Sequence, residues 1–226
     1  MTPLVSVLIP ALNEAAGISA TLAAARAALG DQAEYIVADG QSSDGTAELA
    51  RAAGARVIES ARGRGRQLDA ALRVAQGEIC IMLHADTLLP TDALTHIVRA
   101  LRSAIGGAFL LRFDDARLQW LARVINLRSR VLRSATGDQA IFARRDVLLA
   151  VGGVPQLELF EDVRLWQKLK RAGRTQILAS EVTTSARLWR SAGTSRVILL
   201  HWRLRLLHAL GVSPERLARL YPTSGS

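Results

Sequence analysis

Ile79-Cys80-Ile81-Met82-Leu83-His84-Ala85-Asp86 is a short apolar run that ends abruptly in two side chains able to ligate metal. Its brevity, its isoleucines and the break at Gly77 predict a buried strand of a parallel sheet rather than a helix. In open α/β sheets, ligands gather at the carboxyl ends of such strands. Asp86 therefore stands where a hard cation and a phosphate would be held, and His84 lies two residues away on the same side of an extended chain. The competing role for Asp86, capping a following helix, is better filled by Thr91 and Asp92 after Pro90.

Upstream the pattern repeats. Leu4 to Ile9 is a β-branched run ending at Pro10, and an Ala-rich segment to Leu29 reads as helix. Tyr35 to Ala38 forms a second strand, followed by Asp39-Gly40-Gln41-Ser42-Ser43-Asp44-Gly45-Thr46 and a helix from Ala47 to Ala53. Arg56 to Glu59 is a third strand, and Ala61 to Arg66 opens a helix running to about Ala75. Strands alternating with helices imply right-handed crossovers and a parallel sheet whose C-terminal loops converge on one edge.

Downstream the texture changes. Ala108 to Phe113 is an apolar run, Leu118 to Leu132 is basic and amphipathic, and Ala140 to Ala143 is a short strand. Glu161-Asp162 opens a helix to Ala172, which Gly173 ends. An Arg- and Trp-bearing apolar helix is expected from Thr194 to Leu210, with a last short one starting at Ser213-Pro214-Glu215. With 226 residues, half of them apolar, and no repeat or low-complexity linker, the chain reads as one domain. Its expected parts are a strand-and-helix half at 1–90, a second half of different texture at 91–190 and a helical extension at 191–226.

Cys80, the single cysteine, lies inside a strand and reads as a small core residue in a reducing, cytoplasmic compartment. Neither a signal-like segment nor an uncharged apolar stretch of about twenty residues is present. The formal net charge of +9 attracts polyanions: nucleotide diphosphates, nucleic acid or anionic headgroups.

Glu14, Asp39 and Asp86 are three acids at equivalent strand ends. Such acids accept hydrogen bonds from base N–H groups and ribose hydroxyls, while the one nearest the phosphates holds a divalent metal. Gly63-Arg64-Gly65-Arg66 has the flexibility and charge to approach a diphosphate, with Arg66 near a helix N-terminus, although it matches neither the dinucleotide fingerprint nor the P-loop. Glu161-Asp162 is favourably placed at a helix start and would serve there as a cap unless the chemistry needs a general base.

The ordered set V-S-V-L-I-P-A-L-N-E, A-D-G-Q-S-S-D-G-T, G-E-I-C-I-M-L-H-A-D-T, then G-G with E-D downstream, resembles the family 2 glycosyltransferases of GT-A fold across nearly the whole chain. It also resembles a small bacterial branch of that family through G-R-G-R-Q-L-D, H-A-D-T-L-L-P, G-D-Q-A-I-F and L-G-V-S-P-E-R-L. The resemblance implies an α/β nucleotide-binding fold with a mostly parallel central sheet flanked by helices and C-terminal amphipathic helices. It implies an inverting transfer from a nucleotide-diphospho-sugar to an acceptor hydroxyl, assisted by Mg²⁺ or Mn²⁺. Asp162 then matches the catalytic base, with Glu161 beside it, and Asp86 is the final acid of the D-x-D-type metal motif, whose first position is His84. The donor would meet Ala11, Asn13, Glu14, Asp39, Arg66 and Ala85; the acceptor would meet Asp138, Gln139, Arg187 and Trp189. Ser185-Ala186-Arg187-Leu188-Trp189 reads equally as a strand-to-helix connection with a packing tryptophan.

Two other readings compete. A nucleotidyltransferase would carry a basic, Gly-rich phosphate signature after the first strand, where this chain has Ala11-Leu12-Asn13-Glu14. A non-catalytic nucleic-acid binder would interleave aromatic with basic residues, yet aromatics are only 4% of the chain, so no nucleic-acid partner is expected. The C-terminal helix, with Trp202, Arg203 and Arg205 among leucines, is the expected peripheral contact with the inner face of the membrane. A lipid-linked acceptor would suit that placement.

Overall fold

The computed structural model describes residues 3–192 together with 199, 200, 203, 207, 212 and 217. The helices expected over 194–210 and from 213 lie largely outside the described residues.

Strand β1 (Val5–Ala11) is buried along its whole length, which explains its apolar character, broken only by the buried Ser6. It runs parallel between β2 (Ala33–Asp39) and β4 (Ile79–Met82), and β3 (Arg56–Glu59) pairs parallel on the far side of β2. Helices α1 (Ile18–Leu29), α2 (Thr46–Ala52) and α3 (Arg64–Val74) make the crossovers. Pairing of Ala11 with Asp39 in register brings the loops after β1 and β2 side by side. The helix α1 buries Ile18, Leu22, Ala25 and Leu29, one stripe at helical spacing.

The second half extends the same sheet. After the two-residue strand β5 (Thr87–Leu88) come α4 (Ala93–Ala100), β6 (Gly106–Phe113), α5 (Gln119–Leu132), β7 (Phe142–Arg144) and α6 (Arg145–Ala150). Helix α7 (Glu161–Ala172), β8 (Thr175–Thr184) and α8 (Arg187–Ala192) complete the described elements. The sheet order is β3-β2-β1-β4-β7-β6-β8-β5. It is a mostly parallel α/β sheet with helices on both faces, and β7 is the antiparallel insert that joins the two parallel parts.

Hydrophobic periodicity left β8, the longest of these strands, unassigned. Its apolar residues do not alternate along the sequence, and Gln176, Ser180 and Glu181 break its apolar character, although burial alternates from Leu178 to Thr184. A bulge between Ala108 and Leu110 shifts its register against β6. Phe109 and Phe142, both fully buried, meet edge to face with ring centroids 5.8 Å apart.

Candidate active site

The crevice at the carboxyl ends of β1, β2 and β4 is built by side chains that serve the backbone first. Gln67, buried on α3, donates from Nε2 to the Ala11 carbonyl at 2.7 Å and to the Ala38 carbonyl at 2.8 Å. The Ala11 carbonyl also accepts the Gly40 N–H at 2.9 Å, so the one amide ties the ends of β1 and β2 together. Asn13 adopts a left-handed conformation (φ 55°), from which its Oδ1 accepts the Ser43 N–H at 2.9 Å. The Glu14 N–H donates to Thr46 Oγ1 at 2.8 Å, and the Ala15 N–H donates to Asp44 Oδ2 at 3.0 Å. Asp44 is thus a turn former.

Asp39, only 6% exposed, accepts the Ser42 N–H through Oδ2, while its buried Oδ1 has no partner in the protein. A buried acceptor left unpaired is costly, so this oxygen is shaped for a donor group on a ligand, such as a base N–H or a hydroxyl. Glu14 forms an ion pair with Arg187 at 2.6 Å. Burial raises the Glu14 pKa, Arg187 opposes the rise and the Asp86 charge adds to it, so all three groups share one neighbourhood.

The loop after β4 is held from two sides. Thr21 Oγ1 on α1 donates to the Ala85 carbonyl at 2.7 Å, and the Ser185 N–H donates to the Asp86 carbonyl at 3.1 Å. His84 is half-buried; desolvation and the Arg64 guanidinium lower its pKa, against the charges of Asp86, Asp138 and Asp162. Three carboxylates thus lie within electrostatic reach of this imidazole.

Among the described residues no three His, Cys, Asp or Glu side chains are grouped to hold a metal by themselves. The half-buried Asp86 carboxylate at a strand end fits a hard cation that takes one protein carboxylate and completes its shell with substrate phosphates and water.

Asp162 faces this cluster from the start of α7. Its Oδ2 accepts the Gly137 N–H at 2.6 Å and its Oδ1 accepts the Val163 N–H at 2.6 Å, which fixes the plane of the carboxylate. A Cβ added at Gly137 would lie 2.7 Å from His84 Nε2 and 3.4 Å from Asp162 Oδ2, so the glycine is the thin wall between them. Phe160, just before the acidic pair, adopts a left-handed conformation (φ 65°), an uncommon state for an aromatic residue. Leu159 and Phe160 belong to a cluster with Leu200, Leu207, Val212 and Leu217 from the C-terminal part.

Glu161 is 2% exposed; its Oε1 meets Arg64 Nε at 3.0 Å, and its Oε2 has no partner. Burial pushes this carboxyl up to about 7 against the pull of Arg64. The native state then holds a proton that the unfolded chain releases near 4.5, so the stability contribution is full below about 4.5 and lost as pH rises through about 7. The difference is on the order of 3 kcal/mol, or several degrees for a chain of this size. Between pH 5 and 8 the melting midpoint of the native chain should fall several degrees further than that of Glu161→Gln; parallel curves would remove the buried acid from this account.

Residues that sequence patterning passed over hold this arrangement. Asp69, 3% exposed, accepts the Val154 N–H at 3.2 Å and Gln156 Nε2 at 3.1 Å, and pairs with Arg73 at 3.0 Å. It ties α3 to the segment leading into α7. Arg64, rather than Arg66, reaches the acidic pair; Arg66 Nη1 donates to the Arg62 carbonyl on the exposed surface.

Two expected acceptor contacts sit elsewhere. The Gln139 side chain is buried, donating to the Phe109 carbonyl at 2.9 Å and accepting from Ser129 Oγ and the Thr136 N–H, so it braces the turn behind Gly137. The Trp189 ring packs edge to face on Phe113 at 5.7 Å, as a connection residue would. Asp138 remains at the site rim, accepting from Thr136 Oγ1 at 2.6 Å.

Residues 6–149 match the sequence model of glycosyl transferase family 2, and the chain belongs to that family. An undecaprenyl-phosphate 4-deoxy-4-formamido-L-arabinose transferase of Pseudomonas aeruginosa is 31% identical over 138 residues, covering 55% of this chain and 41% of the relative. A mannosyltransferase from Pyrobaculum calidifontis, solved with GDP-Man and Mn²⁺, superposes with a TM-score of 0.70 at 26% identity, covering 91% of this chain and 61% of that one. Staphylococcus aureus TarS, solved with UDP-GlcNAc, shares the fold at a TM-score of 0.65 and 18% identity, covering 80% of this chain and 58% of that one. The chain therefore spans about two fifths of the curated relative and about three fifths of these structures.

Proposed function

We propose that the chain is an inverting glycosyltransferase that moves a sugar from a nucleotide-diphospho-sugar to an acceptor hydroxyl. The observation that carries this reading is the Asp162 carboxylate, oriented by two backbone N–H groups and separated only by Gly137 from His84, near Asp86.

In this reading Asp39 Oδ1 receives a donor group of the nucleoside, and Asn13, Ala11 and Ala85 line the floor beneath it. The acceptor O–H gives its proton to Asp162 as the acceptor oxygen bonds to the anomeric carbon, and the bond from that carbon to the phosphate oxygen breaks. Attack from the face opposite the departing nucleoside diphosphate inverts the centre. A divalent ion at Asp86, Mn²⁺ or Mg²⁺, would offset the charge that develops on the leaving diphosphate. The Arg187 guanidinium, now on Glu14, offers donors to that diphosphate at the same edge.

The mannosyltransferase relative with GDP-Man and Mn²⁺ and the undecaprenyl-phosphate transferase support a nucleotide-sugar donor, a divalent ion and a lipid-linked acceptor. A single domain working at the cytoplasmic face of a membrane fits these partners. A thermal-shift screen of UDP-, GDP- and dTDP-sugars with Mn²⁺ or Mg²⁺ tests the reading. At one hundred times its dissociation constant the right donor adds about 2.7 kcal/mol, raising the midpoint by about 5–10 °C. Failure of every nucleotide sugar to raise it, with no transfer to hydroxyl-bearing acceptors, lipid-linked ones included, would sink the assignment.

A further inference from the structure

Helix α5 turns an apolar stripe to solvent. Trp120, Val124, Leu127 and Val131 recur at four- and three-residue spacing and are 51%, 56%, 62% and 69% exposed. The opposite face, with Leu121, Ala122, Asn126 and Ser129, is the buried one. Rotation about the helix axis is fixed: Asn126 exchanges hydrogen bonds of 3.0 and 2.8 Å with the Leu111 backbone, and Ser129 Oγ donates to Gln139 Oε1 at 3.1 Å. Trp166 Nε1 donates to the Arg133 carbonyl at 2.8 Å and anchors the helix end. Scattered surface leucines are ordinary, but four apolar residues in one line, pinned outward, mark a surface that meets something.

Charge identifies the partner. At about 100° per residue, Arg123 and Arg130 border the stripe on one side and Arg128 on the other, with Arg117 and Arg133 near the ends. No Asp or Glu occurs between residues 116 and 137. An apolar strip edged by cations on both sides is the pattern of a helix lying in the plane of a lipid interface, its tryptophan at headgroup level. We propose that α5 docks the protein on an anionic bilayer, with the Trp120, Val124, Leu127, Val131 stripe in the acyl boundary and the arginines on phosphate headgroups.

Other occupants suit the stripe less well. A second copy packed symmetrically would set arginine borders against arginine borders. The chain's own residues 193–226 carry five arginines and one acid, Glu215, and so bring the same repulsion. The docking itself is independent of the transfer reaction. If that reaction holds, α5 also explains acceptor access, because its C-terminal end leads into the turn whose Gly137 N–H holds Asp162.

Vesicle flotation of the full chain tests the proposal, comparing phosphatidylcholine with phosphatidylcholine–phosphatidylglycerol at 3:1. Binding to the anionic vesicles should be at least tenfold tighter and should weaken in 0.5 M NaCl. Leu127→Glu with Val131→Glu should reduce it at least tenfold while the melting midpoint and donor-induced thermal shift persist. Arg123→Gln with Arg130→Gln should also reduce it, and decides the matter alone if the first variant fails to fold. Equal binding to both vesicles, or binding that the variants leave unchanged, would overturn the proposal. So would a dimer in sedimentation equilibrium that the same substitutions dissolve, which would assign the stripe to a second copy.

Discussion

Asp162→Asn should lower the transfer rate by about a thousandfold or more while donor affinity stays within about threefold, measured as kcat and by calorimetry with Mn²⁺. The asparagine is nearly isosteric, and its carbonyl oxygen can still accept the Gly137 N–H that now bonds Oδ2 at 2.6 Å. The turn should therefore stay in place, while the amide NH2 cannot accept the Val163 N–H that now bonds Oδ1 at 2.6 Å, so the melting midpoint should fall by no more than a few degrees. What the variant loses is the group that takes the acceptor proton, an interaction made in the transition state, so the loss should fall on kcat and kcat/KM together. Transfer at the native rate would remove Asp162 from the base position. A parallel loss of donor binding would instead make the residue part of the donor site.

The strand ends were the legible part of this site, because their chemistry lies on the chain that the strand itself orients. Asp39 ends a short apolar run and Asp86 lies in the loop just beyond another, so the parallel-sheet reading already put them on the ligand edge. Helix α7 was legible at both ends, since the Glu161-Asp162 start and the Gly173 stop are local signals. The supports were not legible. Gln67 lies one helical turn before Ala71 on the buried face of α3, and Asn126 stands likewise among Ala122 and Ser129 on α5. Each is a polar residue at an apolar position of the period, and that mismatch was the available signal; the carbonyls they serve lie on other elements, Ala11 far back along the chain and Leu111 on the preceding strand. Periodicity alone is also ambiguous for α5, whose regular Trp120, Val124, Leu127, Val131 line reads as a core face although the structure buries the other one.

Gly65→Ala should be the most damaging single change outside the carboxylates. Local propensity argues the other way, since alanine in a helix is favoured over glycine by about 1 kcal/mol. Yet a Cβ at Gly65 would fall well inside van der Waals contact with the Pro155 carbonyl oxygen, and 3.2 Å from the Glu161 Cβ. A backbone carbonyl cannot rotate away as a flexible side chain would, so α3 and the 153–160 segment must separate. That segment is also held by Asp69 through the Val154 N–H and Gln156, and separation would stretch those bonds and the Arg64–Glu161 pair together. Overpacking of this kind costs about 1–3 kcal/mol beyond the propensity gain, or several degrees in the melting midpoint. The larger effect should be on turnover, because a shift of about 1 Å at the start of α7 moves Asp162 off its line to the acceptor and costs about a hundredfold. Gly63→Ala is the comparison: its added Cβ would approach nothing nearer than Arg66 Nη1 at 3.8 Å, although its φ of 120° adds local backbone strain. If both variants lose stability alike and Gly65→Ala keeps its turnover, close packing of α3 against the Pro155 carbonyl is not what positions the base.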